Sequence, residues 1–242
     1  MNMSTPAVGG TVSGGTTLCA SSTKPQLTLS NSSGSIQWQS STTSATTGYT
    51  NITGATSGFG KACAEKFASH GYDLIITGRR EERLLELKEL LEKKYNTAVL
   101  VSVYDVRNRQ QVFDAVKNIP EEWQRIDVLI NNAAADPRIE LGKTSGTDWD
   151  RLFARNLKAY FLTSRASAPH MRQGSAIINF SSITVHTGPT NMSAYVATKA
   201  GIQGFTRSLA RELGRRGIRV NTISPGWIMT ERQKRQIGRA HV

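Results

Sequence analysis

Short apolar runs alternate with longer amphipathic stretches along most of this chain, from about residue 49 to about residue 224. The runs have the length and β-branched content of buried strands, and the stretches between them carry apolar residues at helical spacing. The pattern predicts strands over 50–54, 73–77, 98–103, 128–131, 176–181 and 219–224. It predicts helices over 61–70, 81–94, 110–119, 149–171 and 195–213. This alternation favours an α/β fold built on a doubly wound parallel sheet.

The first predicted strand is the weakest of the six. Asn51 stands where a central strand, covered on both faces, favours an apolar residue. We therefore expect a buried amide that lacks partners, at a cost of about 1–3 kcal/mol.

The first 50 residues differ from the rest in composition. Ser, Thr and Gly make up more than half of them, and Lys24 is their only charged side chain. Leu27 with Leu29, and Ile36 with Trp38, alternate with polar residues as in strands. So little apolar surface predicts that segment 1–48 is disordered or only partly β-structured.

The net charge of +12 raises the question of a nucleic-acid partner. Many of the basic residues follow residue 205, without interleaved aromatic residues or a nucleic-acid-binding module, and we interpret them as a solvated helix face. No apolar run approaches membrane-spanning length and no secretory signal is visible near Met1, so we expect a cytoplasmic protein without a membrane partner. Cys19 and Cys63 belong to no cluster with metal-ligand spacing, and we expect no metal site.

Glycines mark the junction between the first predicted strand and the first helix, in Thr53-Gly54-Ala55-Thr56-Ser57-Gly58-Phe59-Gly60. Glycines there allow a tight turn and let the backbone approach a pyrophosphate at a helix N-terminus. The spacing differs from G-x-G-x-x-G, but the order strand, turn, helix, strand indicates a dinucleotide site.

Tyr195 and Lys199 lie four residues apart in a predicted helix, which places both side chains on one face. A free phenol has a pKa near ~10, and an ammonium one turn away favours the phenolate and lowers that pKa. The pair is a candidate general acid/base for a substrate hydroxyl or carbonyl. The alternative is an ordinary solvated pair on a helix surface.

These two motifs, with Asn131-Asn132-Ala133-Ala134 between them, resemble the short-chain dehydrogenase/reductase family over about residues 49–233. The resemblance implies a Rossmann-type sheet with strand order 3-2-1-4-5-6-7. It also implies hydride transfer between a nicotinamide cofactor and a small-molecule secondary alcohol or carbonyl, and the family is usually homo-oligomeric. Ala134 replaces the usual glycine of its motif.

The resemblance implies a catalytic set of Asn156, Ser182, Tyr195 and Lys199. Tyr195 would exchange the proton, and Lys199 would lower its pKa and hold the nicotinamide ribose. Ser182 would hydrogen-bond the substrate oxygen where charge develops, and Asn156 would hold a water of a proton relay.

Cofactor choice is read at the end of the second strand, where NAD enzymes place an acidic residue. Here Gly78 is followed by Arg79 and Arg80, which favours NADP over NAD, the alternative being two surface arginines. The remaining cofactor-binding residues that the resemblance implies are Gly54, Thr56, Ser57, Gly58, Phe59, Gly60, Asp105, Val106, Asn131, Ala133, Tyr195, Lys199, Pro225, Gly226, Ile228 and Thr230.

At three points along the chain the sequence begins to resemble a different kind of protein. Segment 1–50 resembles a fragment of an immunoglobulin-like repeat of bacterial adhesins, and 237–242 resembles translated sequencing adapter within a non-native tail, 234–242. Between them, 52–133 resembles NADP-dependent 3-hydroxy acid dehydrogenases, and 136–233 resembles aldose 1-dehydrogenases.

From these resemblances we predict a chimeric, C-terminally truncated dehydrogenase that ends soon after its sixth strand. Its sheet would then have an uncovered edge, and we expect poor solubility. The alternatives are an inactive remnant that at most binds cofactor, and a surface-adhesion fragment.

Overall fold

The computed structural model describes residues 49–228 and, before them, the backbone of two short strands. These are β1 (Thr11–Ser13) and β2 (Thr28–Ser30), an antiparallel pair within a compact unit, Met1–Thr42, that is distinct from Thr43–Val242. β2 falls within the alternation at Leu27 and Leu29, whereas the strand predicted at Ile36 and Trp38 lies outside the described residues.

Six parallel strands form the sheet of the second unit, in the order β5-β4-β3-β6-β7-β8. They are β3 (Tyr49–Thr53), β4 (Asp73–Gly78), β5 (Val99–Val103), β6 (Ile126–Asn131), β7 (Ala176–Phe180) and β8 (Arg219–Ile223). Every predicted strand is present within two residues of its predicted ends, and the order confirms the doubly wound parallel fold. All six strands end at one edge, where such sheets bind ligands.

Helices cover both faces of the sheet. They are α1 (Gly58–Ala68), α2 (Glu81–Tyr95), α3 (Arg109–Lys117), α4 (Gly146–Phe153), α5 (Ala159–Ser167), α6 (Thr184–Thr187) and α7 (Ser193–Gly214). Short 3-10 turns lie at Glu121–Trp123, Leu141–Lys143 and Ala168–His170. Within residues 49–228, no helix is long and apolar enough to cross a membrane.

Alternating side chains of the strands build two hydrophobic clusters, one on each face. In β4, Leu74 and Ile76 pack with Leu84 and Leu91 of α2, whereas Ile75 joins the other cluster. That second cluster includes residues of α3, α5 and α7. Because both faces are covered, the strands carry apolar residues on both sides, as in Leu74, Ile75 and Ile76 of β4, which is expected for a parallel sheet.

The single helix predicted over 149–171 is wrong in detail. The region consists of α4, a π-helical turn (Ala154–Lys158), α5 and a 3-10 turn, which follow one another directly. The π-helical turn inserts one residue into the helical repeat, which periodicity alone does not reveal, and such turns occur often at functional sites. Asn156 lies at its centre.

Candidate active site

The glycine turn joins β3 to α1 at the carboxyl edge of the sheet. Gly54 and Gly58 have φ values of 64° and 52°, which glycine adopts without strain. A Cβ on Gly60 would lie 2.3 Å from the carbonyl oxygen of Gly54, so the helix could not pack this closely on the turn with any other residue. The side chain of Asn132 holds the same turn by donating to the carbonyls of Thr53 and Gly54, at 3.3 and 3.2 Å.

Thr56, Ser57 and Phe59 of this turn make different contacts. Thr56 accepts a hydrogen bond of 3.1 Å from the Arg80 guanidinium. Ser57 is the exposed, extended residue that precedes α1, and its side chain makes no capping bond. Phe59 packs against Phe180 at the end of β7, with ring centroids 5.5 Å apart. The turn therefore presents backbone and a hydroxyl to the edge where the strands end.

Arginines surround one carboxylate beyond β4 and β5. Arg107 donates to both carboxylate oxygens of Asp105 through Nε, at 3.0 and 2.9 Å, and Arg79 lies 3.9 Å from Asp105. The hydrogen bonds from Arg107 hold the pKa of Asp105 below its usual value. The neighbouring Val106 is buried at the edge of the core, and Arg79 and Arg80 are exposed.

Asn131 lies wholly inside the protein at the end of β6. Its amide donates to Ser164 Oγ and Asn179 Oδ1 at 3.1 and 2.9 Å, and its oxygen accepts from Thr163 Oγ1 at 2.6 Å. These bonds tie β6 to α5 and β7, so the side chain of Asn131 supports the strand ends and offers no surface to a cofactor. Ala133 is partly exposed, and its Cα would lie 3.1 Å from a Cβ on Gly54.

Lys199 and Tyr195 lie in the first two turns of α7. The Lys199 side chain is buried, and its Nζ donates to the carbonyl of Phe180 at 2.7 Å. The same Nζ lies 5.7 Å from the centre of the Tyr195 ring and 5.6 Å from that of Tyr160. Burial lowers the pKa of Lys199 from 10.5 to about 7, and the charge of Asp136 partly opposes this. The amine can therefore gain or lose a proton near neutrality.

Asn156 is fully buried and connects two parts of the site. Its side chain accepts from the backbone N–H of Ala135 and donates to the carbonyl of the same residue, both at 2.8 Å. It also donates to Thr198 Oγ1 at 3.2 Å, and Thr198 donates to the carbonyl of Tyr195 at 2.7 Å. Asn156 therefore fixes α7 relative to the segment that follows β6.

Ser182 lies just beyond β7 and is nearly buried. Its Oγ accepts from the backbone N–H and the hydroxyl of Thr184, at 3.2 and 2.9 Å, so its own hydroxyl hydrogen can be donated elsewhere. The preceding Ser181 donates to the carbonyl of Lys199 at 2.9 Å, which holds the end of β7 against α7.

The segment after β8 contributes the remaining predicted residues. The carbonyl of Pro225 accepts from the backbone N–H of Ile183 at 3.0 Å. Gly226 and Ile228 are exposed, and Thr230 lies outside the described residues. Pro225 therefore lies next to the Ser182 segment.

Sequence reasoning gave no role to Arg107 or Asp136, and it placed Asn132 only in a motif expected to line the cofactor. The pair Asn131-Asn132 did mark the segment, but only the structure shows that Asn132 holds the glycine turn while Asn131 points inward. The charge of Asp136 near Lys199 had no signal, because loop residues carry no periodicity.

The residues at this edge fit an extended dinucleotide. Gly54 and Gly58 open the turn to close backbone approach, and the basic group Arg79, Arg80 and Arg107 exceeds its one carboxylate, Asp105, in charge. β4 and β5 lie on one side of β3, whereas β7 and its neighbour α7 lie on the other. The group of arginines and the Tyr195–Lys199 pair are thus separated across the sheet.

Comparisons with known proteins agree with this geometry. The family model described as short chain dehydrogenase matches residues 49–239, and a model described as a domain of unknown function matches 8–61. A probable galactose dehydrogenase of Rhizobium meliloti is 39% identical over 76% of this chain and 73% of its own length. An NADP-dependent 3-hydroxy acid dehydrogenase of Salmonella typhi is 37% identical over 73% of this chain and 71% of its own.

A solved structure shows the same likeness. L-Sorbose reductase from Gluconobacter frateurii, complexed with NADPH and L-sorbose, superimposes with a TM-score of 0.75 at 31% identity, over 77% of this chain and 72% of that one. The galactose dehydrogenase, 3-hydroxy acid dehydrogenase and sorbose reductase named above are oxidoreductases that act on alcohol or carbonyl substrates. The chain belongs to the short-chain dehydrogenase family.

Proposed function

We propose that this protein transfers a hydride between NADP(H) and a secondary alcohol or carbonyl of a hydroxy acid or sugar. The observation that carries the proposal is the buried Lys199 beside Tyr195 at the carboxyl edge, across the sheet from a group of arginines. The names of the similar galactose, 3-hydroxy acid and sorbose enzymes support the substrate class.

The nicotinamide, when bound, would supply or accept the hydride. Tyr195 would give its phenolic proton to the developing alkoxide in reduction and take it back in oxidation. Ser182 has a hydroxyl hydrogen to donate to the same oxygen, where negative charge grows. The pKa of Lys199 is about 7, so part of the amine is protonated at neutral pH. Its ammonium form would stabilise the phenolate of Tyr195.

Cofactor preference follows from the arginines. Arg79 and Arg80 are exposed after β4, where an acidic residue would favour NAD, and a guanidinium can pair bidentately with a phosphate on the adenosine ribose. The NADPH in the similar sorbose reductase and the NADP of the 3-hydroxy acid enzyme support this choice.

We also propose that residues 49–233 form the catalytic domain and that 1–48 is a separate segment. The division into compact units near residue 42 supports the boundary. The dehydrogenase family model continues through residue 239, into the tail predicted over 234–242.

The Tyr195→Phe variant tests the reaction. It should lose at least ~100-fold in the rate of NADPH oxidation, because proton transfer by a placed acid contributes roughly that much or more. NADPH affinity should stay near wild type, since the ring keeps its packing.

Oxidation of NADPH is followed with 3-oxo acids, aldoses and ketoses as substrates. Tyr72→Phe, the same change at a half-buried tyrosine against Phe67, is the matched control and should keep wild-type turnover. Wild-type turnover in Tyr195→Phe would contradict the assignment of the acid.

A further inference from the structure

Tyr160 of α5 is a fully buried tyrosine to which neither the sequence motifs nor the proposed reaction assigns a role. Its hydroxyl donates to the carbonyl of Phe180, with 3.3 Å between the two oxygens. The same carbonyl accepts from Nζ of Lys199 at 2.7 Å, and this Nζ lies 5.6 Å from the centre of the Tyr160 ring. Tyr160 is therefore connected to the candidate lysine through a shared acceptor and through its ring.

Two tyrosine rings flank the amine of Lys199 at nearly equal distances, but they differ in exposure. Tyr160 is 1% exposed, whereas Tyr195 is half-buried. Burial, followed by the charge of Tyr195, raises the pKa of Tyr160. The phenol of Tyr160 therefore keeps its proton and stays a hydrogen-bond donor, which leaves Tyr195 as the ring that can exchange a proton.

The shared carbonyl limits how well the ammonium form of Lys199 is stabilised. An ammonium removed from water keeps its charge only through the hydrogen bonds and ring faces that replace its hydration. The hydroxyl of Tyr160 competes for the oxygen of Phe180, and this competition weakens the bond from that oxygen to Nζ. The hydroxyl therefore favours the neutral amine.

Within residues 49–228, the titratable side chains found around this amine come from three parts of the fold. They are Tyr195 of its own helix, Tyr160 of α5 and Asp136 of the segment that follows β6. The charge of Asp136 favours the ammonium. Tyr160 is the one of the three whose hydroxyl donates to the acceptor of Nζ.

We propose that Tyr160 is a positioning residue for Lys199, whose hydroxyl shares the Phe180 carbonyl with the amine and keeps the amine able to gain and lose a proton beside Tyr195. Its importance for catalysis rests on the reaction proposed above, in which the ammonium supports the phenolate of Tyr195. Its effect on the amine does not depend on that reaction.

Titration of Lys199 in the full chain, without substrate or cofactor, tests this directly. Nuclear magnetic resonance of protein labelled with a carbon isotope at lysine Cε follows the charge of each amine with pH, and the signal missing from Lys199→Met identifies the residue. Tyr160→Phe keeps the ring and removes the hydroxyl. It should raise the pKa of Lys199 by about 0.5 to 1, because the carbonyl then serves the ammonium alone.

A second replacement and a control complete the design. Incorporation of a ring-fluorinated tyrosine at position 160 keeps the hydroxyl and makes it a stronger donor, so the pKa of Lys199 should fall; this protein decides the question if Tyr160→Phe does not fold, as judged by thermal melting. Tyr104→Phe removes the hydroxyl of another buried tyrosine, which directly follows β5 on the far side of the sheet, and should leave the pKa of Lys199 unchanged.

The pH dependence of alcohol oxidation by NADP gives a readout that a merely structural role would not move. In Tyr160→Phe the rate should rise at lower pH than in the wild type, because an amine that stays charged to higher pH favours the phenolate of Tyr195.

The outcomes separate the two proposals. An unchanged or lowered pKa of Lys199 in Tyr160→Phe would refute the role of Tyr160, and so would an equal change in Tyr104→Phe. If the pKa rises as expected but Tyr195→Phe keeps wild-type turnover, the proposed acid is wrong and the effect of Tyr160 on the amine stands.

Discussion

At the scale of single residues, the candidate site contains a lysine whose side chain is buried in the protein interior. Lys199 keeps one backbone acceptor, the carbonyl of Phe180, and lies between the rings of Tyr160 and Tyr195. One hydrogen bond and two ring faces do not replace the hydration of an ammonium, which is why its pKa falls. The lysine to which we assign a catalytic role therefore lowers the stability of the folded protein.

The pH dependence of stability should report this cost. The pKa of Lys199 is 10.5 in the unfolded reference and about 7 in the folded protein. Below about pH 7 both states hold the proton and the folded state bears the full cost of burying the charge. Between about pH 7 and 10.5 the unfolded state holds more protons, so stability rises with pH, by at most about 1.4 kcal/mol per pH unit from this group.

Lys199→Met should remove this rise. The free energy of unfolding in urea, measured across that interval, should be higher in the variant than in the wild type near pH 7, and the two should converge as the pH increases. Lys66→Met, a change at an exposed position of α1, is the control and should run parallel to the wild type. A gap between Lys199→Met and the wild type that does not change with pH would rule out this explanation.

At the scale of elements, two buried asparagines on adjacent strands have opposite environments. Asn51 of β3 is paired in register with Ile75 and Leu129 and has no partner for Oδ1 among the described residues. Asn131 of β6 is completely hydrogen-bonded through Oδ1 and Nδ2. The buried amide expected at Asn51 is therefore confirmed, and it contrasts with a satisfied amide one strand away.

The two positions should respond to the same substitution with opposite signs. Asn51→Val should raise the free energy of unfolding by about 1–3 kcal/mol, because an unsatisfied buried acceptor is removed. Asn131→Val should lower it by a similar or larger amount, because Ser164, Asn179 and Thr163 each lose a partner. Thermal and urea unfolding give both values, and destabilisation by Asn51→Val would show that this amide is satisfied after all.

The spacing of apolar residues predicted most of the strands and helices but not every element. Strand and helix positions followed from the spacing of apolar residues, because burial on both faces of a parallel sheet leaves a clear pattern. The π-helical turn at Ala154–Lys158 and the short α6 did not, because neither changes which residues are apolar. Asn156 and Ser182 were predicted as site residues through the resemblance alone, because the spacing of apolar residues gives no indication of them.

At the scale of the whole molecule, the sheet order places the proposed cofactor-binding arginines and the proposed acid/base pair at opposite ends of one edge. The glycine turn after β3 lies in the middle, the arginines lie beyond β4 and β5, and Tyr195 and Lys199 lie beside β7. The sequence could indicate both groups separately, since each stands at a strand end or on one helix face. It could not show that Arg107 holds Asp105 through both carboxylate oxygens, because that contact depends on the conformation of the loop after β5.

The most direct test of the central claim follows a single labelled hydride. The full chain is mixed with NADPH that carries deuterium at the transferable position of the nicotinamide, together with 3-oxo acids or ketoses, and the products are analysed by mass spectrometry. We expect alcohol products with one deuterium each from the wild type, and at least ~100-fold slower labelling in Tyr195→Phe, which still binds NADPH. Products without deuterium, or equal labelling rates in the two proteins, would contradict the account.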